Sequence, residues 1–325
     1  MKHIVCFGET LIDFHAQPAA ADGPPSFVPY PGGAPANVAV AVARLGGDVA
    51  FAGMLGKDLF GDMLLRGLEE AGVDTRYVRR TDAANTGLAF VALDEHGERS
   101  FSFYRPPSAD LLFRESAFDD GAFAASSIFH TGSCSMTEDE IAEVTLAGMR
   151  RARDAGALVS FDMNLRPALW PRGSDPTPLL WAALENAALV KLSADEFAFL
   201  AAPLGGEDAV RKRLWQGATR LLLVTDGDGP IRWFTRSVDG AWPAFEVFVL
   251  DSTGAGDAFV GGFLLGLATQ DVGADALDAF GTDERLRNAL LRFAAACGAL
   301  AVTHVGSFAA MPSRDAVEHF LETHT

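Results

Sequence analysis

Short apolar runs alternate with longer amphipathic or small-residue stretches along most of this chain. Ile4–Phe7, Val49–Met54, Ser127–His130, Ala157–Asp162, Leu189–Leu192 and Arg220–Thr225 are too short for stable helices and read as buried strands, with Arg76–Val78 a further short one. Between them, helical periodicity or capping signals predict helices at Val38–Leu45, Phe60–Glu70, Glu138–Ala155, Pro178–Asn186, Ala194–Ala201 and Glu207–Gln216. Helices at Ala258–Thr269, Asp283–Thr303 and Ser313–Glu322 follow towards the C-terminus. The apolar run Phe245–Leu250 predicts one more buried strand, leading into a turn of small residues. Repeated strand–helix units imply a mostly parallel sheet with helices on both faces, a three-layer α/β/α Rossmann-like arrangement.

Two places break the alternation. Thr86–Leu93 and Arg99–Tyr104 flank the turn-rich Asp94–Glu98 and read as a hairpin. Thr10–His15 alternates partly, and Ala16–Pro31 is a Pro- and Gly-rich loop or ragged edge strand. These predict a small accessory sheet, built from insertions at about 10–31 and 84–112 in a single domain spanning 1–325. Pro230–Phe234 and Ser237–Trp242 form a second hairpin-like pair.

In parallel sheets, ligands gather at the C-terminal ends of the strands. Gly8–Asp13, Gly132, Asp162–Arg166, Ser193–Glu196, Thr225–Gly229 and Asp251–Asp257 all follow predicted strands and should converge on one edge. A formal net charge of -17 over 325 residues argues against nucleic acid and anionic membranes as partners. It also means that a polyanionic ligand needs local cations or a metal ion. The N-terminus enters a strand at once without a signal-peptide core, and Cys6, Cys134 and Cys297 are far apart and odd in number. Both features suit a cytoplasmic protein with free thiols. No HExxH spacing suggests zinc, and no P-loop, GxGxxG or GxSxG motif is present.

What remains is Asp251-Ser-Thr-Gly-Ala-Gly-Asp257, placed between the predicted strand and helix. Such a turn presents backbone N–H groups to an anion at the positive end of a helix. Asp257 is then either a helix cap or a base beside an anion cradle. Near the other end of the chain lies Gly32-Gly-Ala-Pro-Ala-Asn37, with Gly46 downstream. There Asn37 is either an ordinary first-turn residue or a partner for vicinal hydroxyls.

The two motifs, in this order and at this separation, resemble the ribokinase-like (PfkB) carbohydrate kinases. The resemblance runs over nearly the whole chain, and Phe103-Tyr-Arg105, Phe129–Gly132, Phe161–Arg166 and Val190–Ser193 look most like the family's bacterial fructokinases. It implies transfer of the γ-phosphoryl group of ATP to a sugar hydroxyl, with Asp257 as base and the amides of Gly254, Ala255 and Gly256 as anion hole. Asp13, Gly32, Gly33 and Asn37 would take the sugar, with Arg105 from the accessory sheet, a lid in this family, and Arg166. Lys191, Ser193, Glu196, Thr225, Gly227 and Gly229 match nucleotide-side positions, Glu196 acting indirectly on Mg²⁺. Ser193 departs from the family's usual Asn, and a capping box by Ser193 and Glu196 is an equal reading. Asp226 and Ala295 are further departures on the nucleotide side. Asp251 and Thr253 match a monovalent-cation loop, with carbonyls from near Gly306–Ser307 and K⁺ as the expected ion. Fructose is the expected sugar; 2-keto-3-deoxygluconate and other sugars or nucleosides of the family are alternatives. A non-catalytic sugar-binding regulator is the remote one. Lid sheets in the family often pair, which implies a homodimer.

Overall fold

The computed structural model describes residues 3–17, 26–93 and 99–324. The turn expected at 94–98 and part of the loop expected at 16–31 lie outside them. In chain order the first strands and helices are β1 (His3–Phe7), β2 (Leu11–Ala16), β3 (Phe27–Gly32), α1 (Ala34–Arg44), β4 (Val49–Gly56), α2 (Leu59–Glu70) and β5 (Asp74–Thr81). The hairpin strands β6 (Leu88–Leu93) and β7 (Arg99–Tyr104) follow, then α3 (Asp120–Ala125), β8 (Ser126–Gly132), α4 (Asp139–Asp154), β9 (Leu158–Asp162), α5 (Thr177–Leu184), β10 (Leu189–Ser193), α6 (Ala194–Ala201) and α7 (Glu207–Leu214). The chain ends with β11 (Leu221–Thr225), β12 (Ile231–Phe234), β13 (Asp239–Trp242), α8 (Ala255–Thr269), α9 (Glu284–Ala301) and α10 (Arg314–Thr323).

The main sheet runs β13-β12-β11-β10-β9-β8-β1-β4-β5. It is parallel from β11 through to β5, and only the β11–β12–β13 end is antiparallel. Alternate residues of each strand feed two different cores. Ile4 and Cys6 of β1 join a core with α1, α8, α9 and α10; Val5 and Phe7 join the core that holds α3 to α7. This is why the strands are apolar on both faces, and it gives the three layers expected from the sequence. All three cysteines are free and buried.

A smaller sheet, β3-β2-β6-β7, stands apart. The hairpin β6–β7 is antiparallel, β2 joins β6 in parallel, and β3 forms the edge. The chain enters this sheet from β1 through Gly8–Thr10 and leaves it through Gly33 into α1. The two sheets are therefore joined beside the C-terminal edge of the main one. The 105–125 stretch, for which the sequence predicted no element, returns to the main body: Leu111, Phe113, Phe118 and Phe123 are buried in the core beside Phe7 and Phe129.

One expected element is absent. Residues 243–250 form neither strand nor helix, and Phe248, Val249 and Leu250 are exposed. Pro243 directly follows β13 and has no N–H to offer a neighbouring strand. Phe245 instead packs edge-on against Phe320 of α10, and Val247 packs on the outside of the core. Anchorage at 245 and 247 leaves the rest of the run in solvent. An apolar run shows burial potential but does not supply a partner strand.

Candidate active site

A cleft of about 440 Å³ opens where the strand ends of the main sheet face the small sheet. Among its lining residues are Glu9, Asp13, Gly33, Asn37, Asp162, Arg166, Lys191, Ser193, Glu196, Thr225, Thr253, Gly254, Gly256 and Asp257. The two glycine motifs, more than two hundred residues apart, thus meet in one place.

They meet because α1 and α8 pack closely. A Cβ on Gly261 of α8 would lie 2.6 Å from Ala41 Cβ of α1, so only glycine permits this approach. It brings Asn37, in the first turn of α1, within reach of Asp257, in the first turn of α8. Asn37 Nδ2 donates to Asp257 Oδ2 at 2.7 Å. Asn37 Oδ1 is buried with no protein partner and remains an acceptor.

Gly254 is the N-cap of α8 in the left-handed region (φ 77°), where a side chain is strained. It contributes no capping side chain. The N–H groups of the helix's first turn have no intrahelical acceptors and stand available to an anion. Asp257 does not cap its own helix; the bond it accepts comes from α1. Burial pushes its carboxyl up to about 6; the Asn37 bond lowers it, Asp162 raises it, and Lys191 and Arg166 lower it. A base that titrates near neutrality is well matched to accepting a hydroxyl proton.

At the Gly32–Asn37 motif, Gly33 has φ 107°, and a Cβ there would lie 2.6 Å from the Glu9 carbonyl. Gly32 faces Asp13, whose Oδ2 occupies the space a Cβ would need. Burial raises the Asp13 carboxyl to about 7; Arg166 lowers it, and Asp257, Asp251 and Glu9 raise it. Glu9 had no place among the sequence candidates. It is buried, accepts from the Ala34 N–H at 3.2 Å and from Ser135 Oγ at 3.0 Å, and so fixes the start of α1. Its only sequence signal was its position directly after a central strand.

Arg105 requires a correction. It does not line the cleft and is only 1% exposed. Its guanidinium binds Asp110 through Nε (2.8 Å) and Nη2 (2.5 Å), and also reaches the Cys134 carbonyl and Thr137. The chain turns into the main body after β7 ends at Tyr104, so strand alternation no longer governs where residue 105 points. The hairpin residue on the cleft wall is Phe103. Arg166 is exposed on the cleft wall.

At the ends of β9 and β10, Lys191 is buried and pairs with Asp162 at 3.1 Å. Burial alone would lower its pKa, but Asp162 and Glu196 overcome that and hold the amine above its ordinary value. A Cβ on Gly256 would lie 3.1 Å from Lys191 Nζ, so this cation stands at the first turn of α8. Asp162 Oδ1 has no hydrogen-bond partner and is an open acceptor in the cleft. Glu196 forms the capping box with Ser193, and its other oxygen accepts from the Leu165 N–H. Both of its oxygens are therefore engaged by backbone. Thr225 lines the cleft; Gly227 and Gly229 lie in the turn beyond it, closed by Gly229 N–H to Asp226 O at 2.6 Å, and do not. Asp251 accepts from the Thr253 N–H at 2.8 Å and from the Gly306 N–H at 3.1 Å, and ties the turn before α8 to the loop after α9. Among the described residues no group of three or more His, Cys, Asp or Glu is placed to hold a metal.

Residues 1–314 match the model of the pfkB family carbohydrate kinases. The chain belongs to that family. This pfkB kinase is 42% identical to a probable chloroplastic fructokinase-6 of Arabidopsis thaliana, over 98% of the chain and 82% of the relative. Its structure is similar to the fructokinase of Xylella fastidiosa with bound ATP, with a TM-score of 0.95 and 55% identity over 99% and 98% of the two chains. It is also similar to the fructokinase of Vibrio cholerae O395 in a form with fructose, ADP and calcium ion, with a TM-score of 0.85 and 31% identity over 99% of both chains. No helix among the described residues is long and apolar enough to cross a membrane.

Proposed function

We propose that this carbohydrate kinase is an ATP-dependent fructokinase that transfers the γ-phosphoryl group of ATP to fructose, giving fructose 6-phosphate. The observation that carries the reading is the joining of Asn37 and Asp257 across α1 and α8 beside the anion hole of Gly254, Ala255 and Gly256. Likeness to fructokinases over nearly the full chain supports the choice of sugar. Asp257 removes the proton from the attacking hydroxyl. The first-turn amides of α8 and Lys191 meet the charge that spreads over the transferred oxygens. Asp13, Gly32, Gly33 and Asn37 hold the sugar, and Arg166 closes its side of the cleft. Ser193, Glu196 and Thr225 shape the nucleotide side, with Gly227 and Gly229 in the turn beyond it. Arg105 leaves the substrate set and serves to fix the end of the lid hairpin.

ATP brings more negative charge than one helix terminus, worth about 0.3–2 kcal/mol, can offset. A divalent ion, Mg²⁺ by choice, supplies that neutralisation when bound to the phosphates. The unpartnered Asp162 Oδ1 suits such an ion through its waters, while Glu196, its oxygens engaged by backbone, adds only its nearby charge. Asp251, Thr253 and the adjoining carbonyls suit K⁺ in the same way, since hard oxygen donors favour such a cation. Activity equal in K⁺, Na⁺ and choline buffers would remove the K⁺ assignment. A cytoplasmic homodimer paired through the lid completes the proposal.

A second reading, 2-keto-3-deoxygluconate as substrate, draws on the exposed Arg166 as a cation for a carboxylate. A coupled ATP-turnover panel with fructose, 2-keto-3-deoxygluconate, ribose and adenosine separates the readings. Fructose is expected to give the highest kcat/KM. Turnover led by another sugar overturns the fructose assignment, and no turnover with any of them overturns the kinase role.

A further inference from the structure

Ser307 lies in the loop after α9, between Gly306 and the single 3-10 turn Phe308–Ala310. It is 1% exposed. It occupies the N-cap position of that turn, where a serine ordinarily spends its hydroxyl on the turn's free N–H groups. Here the side chain makes no capping bond. Its Oγ has no hydrogen-bond partner among the described residues, yet the residue lines the cleft. A buried hydroxyl without a partner is costly, so its orientation needs a reason.

Gly32 shows where the hydroxyl is aimed. A Cβ built on Gly32 would meet Asp13 Oδ2 and, at 3.4 Å, Ser307 Oγ. Both polar atoms therefore face the same small space above the Gly32 backbone. Asn37, whose Oδ1 is also buried without a partner among the described residues, lines the same cleft: the Cβ position of Gly254 is 3.8 Å from Ser307 Cα and 4.0 Å from the Asn37 amide nitrogen. A carboxylate and a hydroxyl facing one space, with an unpartnered amide oxygen elsewhere on the same cleft wall, form an unfilled set that a polyol could fill.

We infer that Ser307 is a direct sugar contact, its hydroxyl pairing with one hydroxyl of the substrate while Asp13 takes a neighbouring one. The inference rests on the sugar-kinase reading and adds a specificity residue to it. Ser307 takes no part in proton or phosphoryl transfer. It contributes binding that is equal in the ground and transition states, which shows in KM and not in kcat.

The test is Ser307→Ala assayed with fructose and with 1-deoxy-, 3-deoxy- and 4-deoxyfructose at saturating ATP. Loss of one neutral hydrogen bond is expected to lower kcat/KM for fructose about 3- to 10-fold through KM. One of the deoxy sugars, the one lacking the paired hydroxyl, is expected to lose less than about twofold between wild type and variant, because the bond is already gone. An unchanged KM for fructose overturns the contact. So does an equal loss with all four sugars, which a merely structural serine would give. A loss that disappears on raising K⁺ also overturns it and assigns the hydroxyl to the neighbouring cation loop. Should Ser307→Ala melt well below wild type, Ser307→Cys keeps the volume, and the same pattern across the sugars decides. If wild type turns over another sugar and not fructose, the fructose reading fails by itself, and the deoxy series of that sugar tests Ser307.

Discussion

Glu196 and Asp257 occupy the same position, the third residue of a helix that begins at the cleft edge. Both are buried acids in a first turn, and in the sequence both could be caps. The structure separates them by where their hydrogen bonds go. Glu196 closes a reciprocal box with Ser193 and takes the Leu165 N–H, so its oxygens answer to local backbone. Asp257 follows an N-cap glycine that offers no cap and accepts a side-chain donor from a different helix. A carboxylate saturated by its own backbone is structural. One held by a single long-range donor, in the uncapped first turn of α8, keeps a lone pair for chemistry.

The largest expected effect breaks the two apart by the same isosteric change. Asp257→Asn is expected to lower kcat about 10²- to 10⁴-fold, as for removal of a positioned base. Glu196→Gln, which keeps an acceptor oxygen for one of the two backbone N–H groups and loses the other bond, is expected to cost stability but to leave kcat within about tenfold of wild type. Steady-state kinetics on the two variants check this, and similar losses in both would erase the distinction.

The pH profile sharpens the comparison. The kcat/KM of the wild type should fall on the acid side as first Asp13, at about 7, and then Asp257, at about 6, take up protons. The Asn37 hydrogen bond holds the Asp257 value down. Asn37→Ala should therefore move the acid limb to higher pH, besides weakening sugar binding. An unmoved limb would show that the titrating group is not the one Asn37 touches.

The capping box predicts a stability effect instead. Ser193→Ala should lower stability by about 1 kcal/mol, as for loss of an N-cap, with kcat little changed. Denaturant melts read the first and initial rates the second.

The smallest effect concerns Asp13. Its carboxyl sits at about 7 in the fold against an ordinary 3.8, because burial disfavours the charge. The folded state thus binds a proton that the unfolded chain has released. The stability from that proton is fully present below about pH 4 and is lost as pH rises through about 7. Asp13→Asn should therefore raise the melting temperature of the sugar-free protein by a few degrees at pH 8, relative to wild type, and by less at pH 5. A larger gain at pH 5 would reverse the assigned sign.

The layered fold was legible because its strands are short and apolar on both faces, while helices such as α2 and α4 carry a clear periodic stripe. The hairpin β6–β7 was legible from two alternating runs around a turn. The Phe245–Leu250 run misled because hydrophobicity reports a tendency to be buried but not which neighbour is present; Pro243 and the end of the sheet at β13 decided the outcome. The site was legible where its chemistry lies in a contiguous motif, as at Gly254–Asp257 and Gly32–Asn37. It was not legible where a role depends on side-chain direction. Arg105 turns into the core toward Asp110, Glu9 supports α1 from beneath, and Ser307 declines its local cap. None of those directions is written in residue type or spacing.

The most direct test of the central claim separates binding from chemistry in one variant. Fructose affinity of Asp257→Asn is measured by calorimetry, and its phosphoryl transfer by single turnover with ATP at pH 8. The account predicts a dissociation constant within about threefold of wild type and a transfer rate lower by about two to four orders of magnitude. A transfer rate near wild type, or a loss of fructose binding that accounts for the whole defect, would contradict it.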